Sequence, residues 1–255
     1  MTVQKVTDTF VSCATLPATH WISESACPYT DSMAVFRFWL ADKIPPDYEK
    51  TALQPDEIIR AGRFRRAEDR NRFVCARHMV RTLAGRYTHQ RPGDICFTVG
   101  KNQKPEIKDS DRWHINVSHA GQWVLVAIGV TSVGVDVEEN NPDFAFQDVL
   151  AHSFTAVEQQ YIEANDSRLL FYRSWTRKEA LVKATGKGLD DDFQRVPCLD
   201  GRHLIERELI GAAGPWSVSS FRVSDGYSAA IAYGDWEGIP KFYTLDSGLF
   251  DQQES

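Results

Sequence analysis

No stretch of this chain approaches the ~20 consecutive apolar residues that a bilayer-spanning helix needs, so a helical membrane protein is not expected. The first twenty residues lack the basic start and apolar core of a secretion signal. Cysteine is sparse and unpatterned. Cys13, Cys27, Cys75, Cys96 and Cys198 are odd in number, and no two form a C-x-x-C pair, which leaves neither a disulfide framework nor a zinc site to expect. A reduced, cytoplasmic setting follows as the simplest expectation. Positive charge is not in excess either: 29 Lys and Arg face 35 Asp and Glu, a net charge of -6. That balance argues against a nucleic-acid-binding surface, which needs basic residues spread over a face.

What is present is ordinary in bulk and uneven in detail. Hydrophobic residues make up 42% and charged residues 25%, as in soluble globular proteins. A length of 255 residues fits one large domain or two small ones. The charges separate along the chain. Ten arginines lie between Arg60 and Arg91, opposed only by Glu68 and Asp69, while acids gather in 136–148 and 190–192. A basic segment in an acidic protein points to a local anionic ligand, most often phosphate.

The chain is organised around Gly134-Val135-Asp136-Val137-Glu138. Strand alternation puts Asp136 and Glu138 on one face and the two valines on the other. Two carboxylates so placed form either a solvated strand end or half of a hard-metal site, since Mg²⁺ takes oxygen ligands from one or two carboxylates and substrate phosphates. Residues 1–32 carry turn formers without a period and are expected to form an irregular extension. Strands are predicted over 34–40, 95–99, 115–119, 123–130 and 133–138, with Ile44-Pro45-Pro46 and Lys101 to Pro105 as breaks. Pro55-Asp56-Glu57 opens a long helical region. Asn140-Asn141-Pro142 is the predicted boundary between halves, giving lobes over 33–140 and 141–240 and a tail over 241–255.

Thr155-x-x-Glu158 has the form of a capping box. In the helix predicted over 169–183, Trp175, Glu179 and Lys183 recur at i, i+4 and i+8 and share a face; an exposed Glu179–Lys183 pair would be the plain reading, but Trp175 on the same face argues for burial. Gly186-Lys187-Gly188 closes that helix and is not a P-loop, for it lacks the upstream Gly and the following Ser or Thr. The last third alternates in short β-like runs. One of them, Tyr227-Ser-Ala-Ala-Ile, echoes Trp123 to Ile128, a hint of two similar halves.

Three segments taken together resemble one family: Asn116-Val117-Ser118-His119 followed by Trp123; Gly134-Val135-Asp136-Val137-Glu138; and Trp175-x-x-Lys178-Glu179-Ala180-x-x-Lys183-x-x-Gly186-Lys187-Gly188. In this order they are similar to 4'-phosphopantetheinyl transferases of the large, two-lobed Sfp type, and Arg63-Phe64, Glu68-Asp69, Arg72 and Lys104-Pro105 extend the likeness upstream. The resemblance implies an α+β fold of two pseudo-twofold-related lobes, each with a small antiparallel sheet packed on helices. It implies Mg²⁺ (or Mn²⁺) held by Asp136, Glu138 and Glu179. Coenzyme A would be bound by Arg60, Arg72, Lys104, Ser118, His119, Lys178 and Lys183. Catalysis would fall to Glu158 as base of the carrier serine, with Lys183 and Glu179. The partner would be an apo acyl, peptidyl or aryl carrier protein; no nucleic acid or membrane is implied, and a monomer is. Glu57 departs from the pattern where relatives often carry a basic residue, as do Gln103 before Lys104 and Ala120 after His119. A non-catalytic carrier-protein or coenzyme A binder on the same fold is the alternative, against which stand the complete carboxylate set and Lys183.

Overall fold

The computed structural model describes residues 8–40, 53–100 and 104–245. The predicted breaks at 44–46 and 101–103, and the end of the tail, lie outside these residues. Two five-stranded sheets form the frame. One contains β2 (Trp21–Ser23), β12 (Lys241–Leu245), β3 (Met33–Trp39), β7 (Trp123–Gly129) and β6 (His114–Ala120), in that order. The other runs β8 (Val133–Glu139), β11 (Tyr227–Gly234), β10 (Pro215–Phe221), β1 (Asp8–Thr15) and β9 (Gly201–Glu206). A two-stranded ribbon, β4 (Phe97–Val99) with β5 (Pro105–Ile107), lies beside the first sheet.

Side-chain alternation explains the layering. On β7, Val124, Val126 and Ile128 join Phe36, Met79 and Leu83 in a core under α2 (Ala67–Thr88). The opposite face of β7, with Leu125 and Ala127, meets Val133, Val135 and Val137 of β8 and Ile231 of β11 in a core between the two sheets. The outer face of the second sheet, with Val218, Ala230 and Ala232, packs on Ala180, Leu181 and Ala184 of α5 (Ser167–Thr185). The layers therefore run α2, sheet, sheet, α5. Strands covered on both faces need no polar residues, which is why β7 is an unbroken apolar run.

The two halves repeat one connection order. In the first, strand β3 precedes α2 and the β6–β7 hairpin, and β3 pairs antiparallel with β7. In the second, β8 precedes α5 and the β10–β11 hairpin, and β8 pairs antiparallel with β11. The echoing segments at 123–128 and 227–231 fall on equivalent strands.

Five expectations differ from the structure. The segment expected to be irregular over 1–32 carries strand structure from Asp8: β1 sits between β10, to which it is parallel, and β9. The tail expected from residue 241 begins with β12, parallel to both β2 and β3. Their partners lie some 200 positions away in sequence, so no local pattern announces them. The sheets are accordingly mixed rather than purely antiparallel. The boundary expected at 140 falls earlier, at the Thr131–Ser132 turn, because β8 ladders with β11 of the second sheet. The helical region opening at Pro55 is two helices, α1 (Pro55–Ala61) and α2. The break at Gly62 lets α1 fold back so that Glu57 pairs with Arg81 of α2 at 2.7 Å.

Candidate active site

The edge strands of the two sheets, β6 and β8, meet beside α5. Asn116 on β6 accepts from the Val135 N–H of β8 at 3.0 Å, tying one sheet edge to the other. Gly134 makes the approach of β8 to α5 possible: a Cβ there would collide with the Ala180 carbonyl oxygen and the Ala184 nitrogen. Gly134, Asp136 and Glu138 share that face by alternation. The glycine thus lets the two carboxylates come up against the face of α5 that carries Glu179 and Lys183.

At the centre is buried Asp136. Its Oδ1 accepts from Ser118 Oγ at 2.9 Å and from Lys183 Nζ at 2.6 Å. Lys183 Nζ also donates to Ser118 Oγ at 3.2 Å. Asp136 Oδ2 is buried and has no hydrogen-bond partner. Burial pushes the Asp136 carboxyl up, against the pull of Lys183 and Ser118. Glu138 is pushed up to about 7, by burial first and then by the charges of Asp136 and Glu179, with Lys183 and a Trp175 hydrogen bond opposing. Glu179 is raised by burial and by Asp136. The three predicted metal carboxylates therefore lie within electrostatic reach of one another, together with Lys183. They are not gathered into a ready cage: among the described residues no group of three or more His, Cys, Asp or Glu stands at metal-holding geometry.

The remaining predicted residues divide. His119 joins the cluster electrostatically; burial lowers its pKa, and the neighbouring charges of Arg72 and Lys183 lower it further. Arg72 pairs with Asp69 at 3.2 Å and keeps a buried Nε without a partner. Lys104 spends two donors on backbone, reaching the Val133 carbonyl at 3.1 Å and the Ala184 carbonyl at 2.6 Å. It clasps the start of β8 to the end of α5, and burial lowers it to about 8. Arg60 lies exposed on α1 with its guanidinium 5.2 Å from the Phe73 ring centre, and no hydrogen bond or ion pair joins it to the cluster. Glu57, at the position where relatives often have a base, is buried between Arg81 and Arg77.

Glu158 and Lys178 form a separate buried centre. Lys178 Nζ donates to Glu158 Oε2 at 2.9 Å and to the carbonyls of Gln194 and Val196 at 2.8 and 2.6 Å. These three contacts match the three donors of an ammonium. Glu158 completes the predicted capping box of α4 (Ala156–Glu163): it accepts from the Thr155 N–H at 2.9 Å and also from Cys198 Sγ at 3.1 Å. In this structure both residues are held as framework. Lys187 of the Gly-Lys-Gly turn is likewise engaged, with Asp190 at 3.0 Å and the Leu209 carbonyl at 2.8 Å.

Sequence reasoning passed over Arg177. Fully buried on α5, it donates to Ser220 Oγ, the Cys198 carbonyl, Thr15 Oγ1 and Asp200, at 2.6 to 3.0 Å. It pins β1 and β10 beneath α5. Its acceptors come from three separate segments, so only its unusual place on a strongly apolar helix face could have marked it.

Carboxylates, a lysine, an arginine and a histidine at the seam of two like-built lobes describe a site suited to a diphosphate and to group transfer at phosphorus. Comparison with known proteins makes this specific. The family model "4'-phosphopantetheinyl transferase, N-terminal" matches residues 45–131, and that of the 4'-phosphopantetheinyl transferase superfamily matches 132–232. The two meet at the turn where the structure changes sheets. Protein slr0495 of Synechocystis sp. is 30% identical over 204 residues, covering 74% of this chain and 81% of its own. The phosphopantetheinyl transferase Sfp of Bacillus subtilis is 29% identical, covering 70% of this chain and 81% of its own. HetI of Nostoc sp., also a phosphopantetheinyl transferase, is 28% identical over 79% of this chain and 90% of its own. The chain belongs to the 4'-phosphopantetheinyl transferase superfamily, in its Sfp-like form with an N-terminal domain. Its activity is transfer of phosphopantetheine to carrier proteins, and coenzyme A is the substrate of the family.

Proposed function

We infer that this transferase takes phosphopantetheine from coenzyme A with the help of Mg²⁺ or Mn²⁺ held by Asp136, Glu138 and Glu179. It delivers the group to a serine hydroxyl of an apo acyl, peptidyl or aryl carrier protein and releases adenosine 3',5'-bisphosphate. The observation that carries this reading is the unpartnered, buried Asp136 Oδ2 beside two further carboxylates. A buried polar atom left without a partner is costly, and an all-oxygen donor set suits a hard dication. When bound, the ion would offset the charge spread over the phosphoryl oxygens during transfer.

The chain's own residues supply the rest. As the serine oxygen bonds to phosphorus and its hydroxyl proton passes to solvent water, the bond to the nucleotide phosphate breaks and negative charge grows on the departing oxygen. Lys183, anchored on Asp136 with its side chain 30% exposed, is placed to stabilise that charge. Ser118 holds the Asp136–Lys183 pair in register from the opposite lobe. Arg72 supplies positive charge, and His119, kept neutral by its burial, a ring N–H donor for the nucleotide phosphates. Lys104 serves as a clasp behind the site, and Arg60 as an outer phosphate contact. Glu158 and Lys178 are given no chemical step, because their polar atoms are engaged with one another and with backbone.

Every group in this reading comes from one chain, which supports a monomer as the working unit. All five cysteines are free, in keeping with a reducing cytoplasm. Among the described residues no helix is long and apolar enough to cross a membrane. The test is intact-mass spectrometry of an apo carrier incubated with the protein, coenzyme A and Mg²⁺. The expected result is a gain of one phosphopantetheine, abolished by EDTA and restored by excess Mg²⁺. A gain that persists in EDTA would remove the metal; no gain on acyl, peptidyl or aryl carriers would remove the substrate assignment.

A further inference from the structure

A groove of about 680 Å³ lies at the end of the two sheets, between the first turns of α5, the segment after β1, the ends of β10 and β11, and Trp21 and Arg37 of the first sheet. Three arginines line it, Arg37, Arg173 and Arg222, and none of its described lining residues is acidic. The charge is only partly spent inside the protein. Arg222 pairs with Asp225 at the surface. Arg37 lies 4.3 Å from the centre of the Trp21 ring and donates to the Val223 carbonyl and Thr244, neither of which is charged. Arg173 has a buried Nε with no hydrogen-bond partner. A buried donor left unpaired is costly, and a guanidinium fork matches a carboxylate. The hydroxyls add to the donor supply: Ser220 Oγ accepts from Arg177 Nε, which leaves its own O–H free to donate. Leu169, 48% exposed, supplies an apolar rim.

The position of the groove says which anion it meets. Ser228, one of its lining residues, stands opposite Glu138 in the β8–β11 ladder. Residues opposite one another in a ladder project to the same face, so the Ser228 wall of the groove adjoins the carboxylate cluster on the α5 side of the sheet. The protein substrate must bring its serine to that cluster, and the residues flanking the serine must cover the adjoining surface.

We propose that this groove receives a carboxylate side chain of the apo carrier protein, seated on Arg173 with its apolar neighbours against Leu169, and so sets carrier affinity. The proposal rests on the carrier-protein reading above and adds the surface and its chemistry. It is tested by steady-state kinetics of Arg173→Ala with an apo carrier. Loss of one charge-assisted hydrogen bond predicts a KM for carrier raised about tenfold or more, with kcat and the Kd for coenzyme A unchanged, and partial recovery in Arg173→Lys. Acidic residues of the carrier near its serine are then reversed to Lys one at a time; one such variant should regain affinity with Arg173→Glu and with no other enzyme form. Should Arg173→Ala fold poorly, Leu169→Glu at the exposed rim must raise the carrier KM instead. An unchanged carrier KM in the folded variants would overturn the proposal, as would a fall in kcat at constant KM. Wild-type protein inert toward every carrier would fail the transferase reading itself, a distinct outcome.

Discussion

The carboxylate of Glu158 accepts from the Thr155 N–H and the Lys178 ammonium on one oxygen and from the Cys198 thiol on the other. A residue so held acts first on stability. Glu158→Gln leaves Lys178 as a buried cation without its anion, and breaking such a pair costs on the order of 3 kcal/mol. Thermal or urea unfolding should show that loss; a variant of wild-type stability with abolished kcat would instead restore Glu158 as the catalytic base. The capping role was legible from Thr155-x-x-Glu158 alone, because a cap is local. The partner Lys178 was not, since twenty positions separate the two and a K-E pair in a helix gives no sign of which residue turns inward. Asp136 and Glu138 were legible as a same-face pair for the opposite reason: period 2 fixes their direction without any knowledge of partners.

At the scale of elements, the contact of β8 with α5 decides the site. Gly134 has room for no side chain, so Gly134→Ala must push helix from strand. Overpacking of this kind costs about 1–3 kcal/mol, and the shift also parts Glu179 and Lys183 from Asp136. Turnover should fall far more than stability; a fully active Gly134→Ala would show that the contact is not needed. Helix α2 supplies a pH effect. His78, 3% exposed, has its pKa lowered by burial from 6.5 to about 4. Between those values the unfolded chain binds the proton and the native protein does not, so stability is full above pH 6.5 and lost as pH falls toward 4. The contribution is roughly 3 kcal/mol at about 1.4 kcal/mol per unit. In urea titrations from pH 7 to 4, a folded His78→Asn should show a shallower acid decline; an unaltered slope would contradict it. Helix α5 was legible from its apolar period and its glycine stop, where Gly186 indeed takes the left-handed conformation. The break between α1 and α2 was less so, because it answers to a distant pair, Glu57 with Arg81, rather than to propensity.

Across the whole molecule, two similar halves present sheet edges to each other, and the candidate site lies where β6 and β8 meet. The repeat was only faintly visible in sequence, because equivalent strands share burial rather than residues. The terminal strands β1 and β12 were invisible, as their pairings are set by long-range closure. On the proposed reading, Ser118 from the first half and Asp136, Glu138, Glu179 and Lys183 from the second form one metal-assisted diphosphate site. Calorimetric binding of coenzyme A, with and without Mg²⁺, tests it most directly in wild-type protein and in Glu179→Gln. Mg²⁺ should tighten coenzyme A binding about tenfold or more in the wild type, and this gain should be lost in a folded Glu179→Gln. Coenzyme A affinity indifferent to Mg²⁺ in the wild type, or equally enhanced in the variant, would contradict the account.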